Sequence, residues 1–405
     1  MKLLFLMAWR NIWRNRMRSI VILLSISIGL FAGLAVLSLY KGMMADRIRT
    51  VIYSEIGHIQ LHAPGFIQEN ETSMILPGGK QILSDLAKLK EIKFICPRII
   101  IQGMFSTTNG SSGVQINGVD PLRESQVSGL ENKIIGGHYF TDKKNEILIG
   151  KKLADKLKLH TGSKIVLTFT DSANDLVSGA FRIAGIYQSV NAPMDERNVF
   201  VKEKDLKHIA GIREGIHEIA IILQDDKYQH NLINTWKTDY PGLDIKSWQQ
   251  LSPETNLLVK TVDDYSYVII IIIMLALAFG ITNTMLMAVL ERSREIGMMM
   301  ALGTSQKRIS GLIILETVLL TIAGTPLGLT VGWFLIDYYS KTGLDLASNG
   351  KDLMASFGFS SHLYPVFPSE KLVAIFFIVS MTALLSSIIP VVKILRMKPA
   401  NAIRI

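Results

Sequence analysis

Four long stretches of this sequence carry almost no charge, and they constrain the fold more than any other feature. They cover residues 19–40, 265–290, 309–336 and 372–392 and contain one charged side chain, Glu316. A helix needs about 20 predominantly apolar residues to cross the hydrocarbon core of a bilayer. Each stretch is therefore predicted to span a membrane, and the remaining residues have the charge content of a water-exposed domain.

The fold class that follows is an α-helical membrane protein with four transmembrane helices, an N-terminal interfacial helix and a large α+β extracytoplasmic domain between helices 1 and 2. In chain order, the predicted segments are a cytoplasmic amphipathic helix (1–18), transmembrane helix 1 (19–44), the extracytoplasmic domain (45–262), transmembrane helix 2 with a stalk (263–291), a cytoplasmic loop helix (292–305), transmembrane helix 3 (306–338), an extracytoplasmic loop (339–370), transmembrane helix 4 (371–393) and a cytoplasmic tail (394–405). The stalk is expected to be helical because no helix breaker follows Pro253 before the second span.

The distribution of charge predicts the orientation. Residues 1–18, 291–308 and 393–405 together hold 13 basic and 2 acidic residues, whereas 41–264 and 337–371 hold 30 basic and 31 acidic ones. Short cytoplasmic segments retain Lys and Arg. Both termini are therefore expected in the cytoplasm, with the large domain on the opposite side of the membrane and the first span kept as an uncleaved anchor. The net charge of +9 is an orientation signal and gives no support to nucleic-acid binding.

The N-terminal segment 3–17 has an amphipathic helical pattern. One face carries Phe5, Leu6, Trp9, Ile12 and Trp13. The opposite face carries Arg10, Arg14 and Arg18. Such a helix is expected to lie in the headgroup layer of the membrane. The alternative is that the segment is only a positively charged flank of the first span.

The sequence carries no recognisable catalytic or metal-binding motif. The Gly-Lys pairs that begin at Gly79, Gly150 and Gly350 are not followed by Ser or Thr, as a phosphate-binding loop requires. His58 and His62 lie on a strand-like segment, where four residues separate their side chains by about 13 Å. We therefore expect no catalytic residue, metal or cofactor in this chain. For Glu316, an anchoring or helix-to-helix role is favoured over proton transfer, and the lone Cys96 is assigned no role.

A stripe of small residues runs along the third span. Gly324, Gly328 and Gly332 recur at every fourth position, and Gly29 and Gly33 repeat the pattern more weakly in the first span. Small residues at this spacing let a second helix approach closely. The stripe predicts helix packing, either in a dimer or in a tight bundle.

The loop between the second and third spans carries the most specific pattern. It reads ERSREIGMMMALGTS over residues 291–305. The pattern is typical of a short amphipathic helix that ends at a glycine turn. We expect it to present Ile296, Met299, Met300 and Leu302 to a groove on a partner.

At these residues the chain resembles the FtsX/MacB/LolC-LolE superfamily of ABC transporter permeases. The stretch Glu291–Gly303 is similar to that family's coupling-helix motif. Residues 8–11 (AWRN) resemble its elbow helix, and 149–154 (IGKKLA) resemble its outer core domain. Pro390 and residues 398–404 (KPANAIR) resemble its C-terminal end.

The resemblance implies a non-catalytic permease that dimerises and binds two copies of a separate ATPase. That partner would hold ATP and Mg, and its closure would push the coupling helix in a mechanotransmission mechanism. The residues placed in the ATPase-coupling role are Arg294, Glu295, Ile296, Gly297, Met299, Met300, Ala301, Leu302 and Gly303.

Within the superfamily, residues 56–65 (IGHIQLHAPG) resemble the lipoprotein-releasing LolC/LolE branch. This implies release of lipoproteins from the outer leaflet to a periplasmic carrier, although the hairpin tip at 171–180 lacks the longer loop of the carrier-recruiting subunit. The lack of a fused ATPase argues against a full MacB-type exporter. Export of peptides, antibiotics or lipids with adaptor partners, and FtsX-like regulation of an envelope hydrolase, remain alternatives. The partner permease is either a second copy or a similar chain. Lipoprotein release predicts an acyl-chain cavity lined by Ile28, Phe31, Leu34, Val268, Ile272, Leu275 and Phe279.

Overall fold

A computed structural model describes residues 2–14, 16–345, 358–360 and 362–396. The chain divides into two compact units. The helical unit comprises 1–44, 259–344 and 362–405, and the outer unit comprises 45–258 and 345–361.

The helices are distributed over both units. In chain order they are α1 (Lys2–Arg14), α2 (Arg16–Thr50), α3 (Phe66–Glu69), α4 (Gly79–Leu86), α5 (Pro121–Ser128), α6 (Lys151–Leu157), α7 (Ala192–Arg197), α8 (Glu203–Ile209), α9 (Gln229–Asp239), α10 (Trp248–Leu251), α11 (Pro253–Glu291), α12 (Ser293–Ala301), α13 (Gln306–Thr342), α14 (Leu372–Ser386) and α15 (Ile388–Leu395). A π-helical turn, Val51–Ile56, continues α2.

The strands of the outer unit form one sheet. They are β1 (Ile59–His62), β2 (Ile92–Thr107), β3 (Gly110–Val119), β4 (Ile134–Gly137), β5 (Glu146–Gly150), β6 (Lys164–Thr170), β7 (Leu176–Tyr187), β8 (Asn198–Lys202), β9 (Glu218–Leu223) and β10 (Asp244–Ser247). Their order is β10-β1-β9-β2-β3-β8-β5-β7-β4, and β6 joins β2 and β7. The pairs β3–β8 and β5–β7 are parallel, while β2 is antiparallel to β3, β6 and β9.

Four helical segments among the described residues are long and apolar enough to cross a membrane. They are Ser19–Ile56, Pro253–Glu291, Gln306–Thr342 and Leu372–Leu395, with mean hydropathy of 2.7, 2.4, 1.9 and 2.5. Their inward sides form one apolar core that includes Ile26, Leu34, Ile281 and Val379. Polar backbone groups within a bilayer must be satisfied internally, which a helix achieves.

One sequence-based boundary differs from the structure. The helix that contains the first span begins at Arg16 rather than at Ser19, because Arg and Met are good helix formers and no breaker separates them from the apolar run. The second long helix begins at Pro253 and runs without a break to Glu291, as expected for a helical stalk. In the predicted loop 339–370, residues 346–357 and 361 lie outside the described residues, as do 397–405, which include the family-like end at 398–404.

The sheet of the outer unit holds a buried group of charges. Arg98 on β2 donates from Nε and Nη2 to the carboxylate of Glu124 at 2.8 Å and from Nη1 to Glu218 on β9 at 2.9 Å. Burial alone would raise the pKa of Glu124, but Arg98 outweighs burial and holds that pKa below its ordinary value. Cys96 is fully buried beside this group, and burial raises the pKa of its thiol, as expected of an inert core residue.

Candidate functional site

The cytoplasmic-loop motif folds as a separate short helix, α12. Helix α11 ends at Glu291, and Arg292 breaks the helical geometry with φ −102° and ψ 15° before α12 begins. At the other end, Gly303 N–H donates to Met300 O at 3.0 Å and Thr304 N–H donates to Met299 O at 2.9 Å. This is the hydrogen-bond pattern of a Schellman cap. It needs the φ of +90° that Gly303 adopts, a value that favours glycine.

One face of α12 is packed into its own helical unit. Ser293, Ile296 and Gly297 are buried. Ile296 belongs to the apolar core of the spans, and Met299 and Met300 pack against that core as half-buried side chains. The expectation that Ile296 is presented to a partner is therefore wrong in this structure, because its side chain is used to seat α12 on the spans.

The opposite face of α12 is exposed. Its exposed residues are Arg294, Met298 and Ala301, and Leu302, which caps the helix, is 86% exposed. Gly303 is exposed as well, and Glu295 lies at the side of the helix, half-buried. Met298 was missing from the predicted coupling residues, although a helical period places residues 294, 298 and 301 on one face. The apolar pair Met298 and Leu302 is flanked by Arg294, which is the composition of a protein-docking surface.

A line of four alternating charges borders α12. Arg14 Nη2 lies 2.7 Å from Glu295 Oε1 and 2.6 Å from Oε2. Arg292 Nε donates to Glu295 Oε2 at 3.0 Å, and Arg292 Nη1 lies 3.8 Å from Glu316 Oε2. Glu316 on α13 is thus paired with a basic residue at the loop. A cavity of about 20 Å³ lies between these two side chains and apolar neighbours such as Ile296.

The glycine stripe of α13 contacts the first span of the same chain. A Cβ at Gly328 would lie 2.8 Å from Ser27 O, one at Gly324 would lie 3.2 Å from Ile26, and one at Gly332 would lie 3.1 Å from Leu34. Ser27 Oγ also donates to Gly324 O at 3.1 Å. The stripe is therefore used for tight packing of α2 against α13 within the chain.

The weaker glycine pair of the first span faces the second span. A Cβ at Gly29 would lie 2.7 Å from Leu277, and one at Gly33 would lie 3.9 Å from Ile273. Both pairs of spans thus approach closely at glycine, and no subunit partner is needed to explain these positions.

The residues predicted to line an acyl-chain cavity do not all share one surface. Leu34 is fully buried in the core of the spans, so the expectation that it lines a cavity is wrong for the single chain. Phe31 is half-buried. The other predicted residues are exposed apolar side chains, namely Ile28, Val268, Ile272, Leu275 and Phe279. The last four recur at helical spacing along one face of α11, so that helix has a continuous apolar outer face.

His58 and His62 are engaged in structural contacts in the outer unit. His58 Nε2 lies 2.8 Å from Asp226 Oδ1, and His62 Nε2 lies 3.0 Å from Gln60 Oε1. Burial lowers the pKa of both imidazoles. Over the ranges 2–14, 16–345, 358–360 and 362–396, no group of three or more His, Cys, Asp or Glu side chains is arranged to hold a metal.

Comparison with known families gives two matches that together cover most of the chain. The family described as MacB-like periplasmic core domain matches residues 19–232, which is more than half of the chain. The family described as FtsX-like permease C-terminal matches residues 267–399. The second match contains α12 and the charges that border it.

Individual relatives are distant. The pyoverdine export ATP-binding/permease protein PvdT of Pseudomonas fluorescens is 24% identical over 365 residues, covering 81% of this chain and 51% of PvdT. The lipoprotein-releasing system transmembrane protein LolC of Neisseria meningitidis is 20% identical over 337 residues, covering 79% of each chain. The chain thus spans about half the length of PvdT and about four fifths of LolC.

Among solved structures, the periplasmic region of MacB from Actinobacillus actinomycetemcomitans matches with 13% identity and a TM-score of 0.37, covering 53% of this chain and 97% of that one. The two family matches and the curated relatives agree with one another. The chain belongs to the FtsX/MacB/LolC-LolE superfamily of ABC transporter permeases.

Proposed function

We propose that this permease receives motion from a separate ATPase through the exposed face of α12 and uses it to release lipoproteins from the outer leaflet of the inner membrane to a periplasmic carrier. The observation that carries the proposal is that Met298 and Leu302 remain exposed while Ile296 anchors the same helix to the spans. A helix held on one face and exposed on the other can transmit a push into the bundle.

The chain itself supplies positioning, and the partner would supply the chemistry. We expect two copies of the ATPase to bind ATP and Mg, one under each permease of a homodimer or of a LolC/LolE-like heterodimer. The termini and α12 would lie in the cytoplasm, and the outer unit in the periplasm. Helices α2 and α11 run without interruption beyond their apolar stretches, to Thr50 and from Pro253, and a continuous helix can carry an axial displacement.

Lipoprotein substrates fit the surface of the spans better than a soluble polar substrate does. Ionisable residues mark polar pathways through membrane helices. Glu316 is the single charge in the four apolar stretches, and it lies beside Arg292 at the loop. Exposed apolar side chains on α11, such as Ile272 and Phe279, instead offer contacts for acyl chains. Similarity to LolC over 79% of both chains also supports a lipoprotein substrate.

Export is the second candidate function. Its support is the 24% identity to the pyoverdine exporter PvdT over 365 residues. In that case the outer unit would contact a periplasmic adaptor, and the substrate would be a peptide, an antibiotic or a lipid.

Purification of the tagged chain from its native membrane, followed by mass spectrometry of bound proteins and lipids, tests the choice. Recovery of an ATPase together with acylated lipoproteins is expected. Recovery of an ATPase with an adaptor, and without lipoproteins, would favour export. A hydrolase in place of both would favour a regulatory role, and purification without any ATPase would contradict the proposal as a whole.

A further inference from the structure

The carboxylate of Glu295 on α12 contacts α1, which lies far away in the sequence, and the junction between α11 and α12. It accepts hydrogen bonds from Arg14, at the last residue of α1, and from Arg292, at the junction of α11 and α12. Arg292 in turn lies 3.8 Å from Glu316 on α13. A chain of alternating charges therefore runs from α1 through α12 to α13.

The inner end of this row of charges, Arg292 and Glu316, is buried. The Glu316 side chain is 4% exposed and that of Arg292 is 15% exposed. Opposite charges attract strongly where water is largely excluded, so the attraction between Glu316 and Arg292 holds Arg292 at this position. Its Nε then points to Glu295, and the position of Glu295 is tied to the interior of the helical unit.

The outer end of this row of charges is Arg14, an exposed residue on α1. An isolated surface ion pair contributes little to stability, so the Arg14 contact alone would not fix the position of Glu295. Here Glu295 receives hydrogen bonds from two guanidinium groups, and a network of this kind fixes geometry better than a single pair. Partial burial by itself raises the pKa of Glu295, but the hydrogen bonds from Arg14 and Arg292 outweigh it, and the carboxylate stays ionised at neutral pH.

Helix α1 is suited to follow a movement of α12. Ala8 is fully buried and Ile12 packs against the core of the spans. Phe5, Leu6, Trp9 and Trp13 remain exposed as an apolar surface. Such a surface binds the membrane interface, where aromatic side chains act as anchors.

We propose that Glu295 is a positioning residue that fastens α12 to the amphipathic helix α1 through Arg14 and to α13 through Arg292. A displacement of α12 then moves α1 and α13 with it. These contacts of Glu295 form within a single chain and need no partner protein. Their consequence for transport rests on the function proposed above.

A distance measurement on the full chain tests the fastening without any partner. Spin labels are placed at L6C and M298C, while Cys96 stays in place because it is fully buried. The unaltered charges should give one narrow distance distribution by electron paramagnetic resonance, and Glu295→Gln should broaden it. Glu291→Gln is the matched control, one helical turn earlier, because Glu291 is exposed and makes no ion pair within the part of the chain that the structure describes.

Reversing the charges of Arg14 and Glu295 shows whether a broadened distribution comes from the lost contact or from misfolding of the variant. Glu295→Arg should broaden the distribution, and the double variant Arg14→Glu/Glu295→Arg should narrow it in part, because it restores the pair with α1 but not the pair with Arg292. Arg10→Glu on the same helix should leave the distribution unchanged. An equally narrow distribution in Glu295→Gln and Glu291→Gln would overturn the fastening.

The functional consequence is read from ATP hydrolysis in the complex purified with its ATPase. Glu295→Gln should lower substrate-stimulated hydrolysis several-fold, and the double variant should recover part of it. A broadened distance distribution with unchanged stimulation would overturn the positioning role. If Leu302→Asp leaves stimulation intact, the docking face proposed for α12 fails, while the distance experiment still decides whether Glu295 fastens the helices.

Discussion

At the scale of single residues, the loop motif predicted a short helix but not which of its side chains are buried. Ile296 and Leu302 are both hydrophobic, so hydrophobicity alone could not predict that one is buried and the other exposed. The structure separates them, because Ile296 faces the spans and Leu302 faces outward. A helical period starting at Arg294 would have included Met298. No local signal pairs Arg14 with Glu295, since 281 residues separate them.

The buried carboxyl group of Asp195 in the outer unit should make the stability of the fold depend on pH. Its carboxylate is buried and accepts from Ser189 N–H at 3.0 Å, and burial raises its pKa to about 6 from an ordinary value of 3.8. The folded state therefore binds this proton more tightly than the unfolded state, and the group's contribution to stability increases as the pH falls from 6 toward 3.8.

Asp195→Asn removes the buried charge and should raise the unfolding midpoint at pH 7.5, where the charged group costs up to about 3 kcal/mol. At pH 4.5 the gain should be small, because the native carboxyl is then largely protonated. Thermal unfolding at both pH values measures this, with the exposed Asp175→Asn as the control. An equal gain at both values would contradict the prediction.

At the scale of helices and strands, apolar length was sufficient to predict the spans. The longest strand, β2, shows where the local pattern is not enough. It contains Pro97, and a proline in a strand candidate usually argues against a central strand. In the structure Pro97 lies opposite Ile219, and β2 pairs with three neighbours. Long-range pairing decides its place, and the local sequence does not carry that information.

The glycine stripe gives a prediction for the contact between α2 and α13. Gly328→Leu should force these helices apart, because a Cβ there already meets the backbone of Ser27. Overpacking in a tight contact costs about 1–3 kcal/mol, and a rigid backbone neighbour places this case at the upper end. The unfolding midpoint of the detergent-purified chain should fall accordingly.

Gly311→Leu on the same helix is the matched control, since nothing lies within 4 Å of the corresponding Cβ. If Gly328→Leu kept the midpoint and only dissociated a dimer, the stripe would be a contact between subunits instead.

At the scale of the whole molecule, the sequence indicated a membrane unit, an outer domain and the family, because these depend on the bulk distribution of charge and on one long motif. A substrate surface is harder to predict from sequence, because the exposure of each apolar position depends on how the helices pack. Leu34 is fully buried, whereas Ile28 in the same helix is exposed.

Variants on the exposed apolar side of α11 test the proposed lipoprotein substrate. Val268→Asn places a polar group on the exposed apolar face and should lower lipoprotein release several-fold while leaving basal ATP hydrolysis intact. Val373→Asn makes the same change at an exposed valine of α14 and should have little effect. Release from proteoliposomes to a soluble carrier measures both, and equal effects of the two variants would remove α11 from the substrate path.

The exposed face of α12 carries the central claim, and substrate-stimulated ATP hydrolysis by the purified complex tests it most directly. Leu302→Asp should abolish the stimulation without unfolding the spans, because the side chain is exposed and contributes nothing to the core. Leu395→Asp, an exposed leucine near the end of α15, should keep the stimulation. Wild-type stimulation in Leu302→Asp would contradict the account that the ATPase drives this permease through α12.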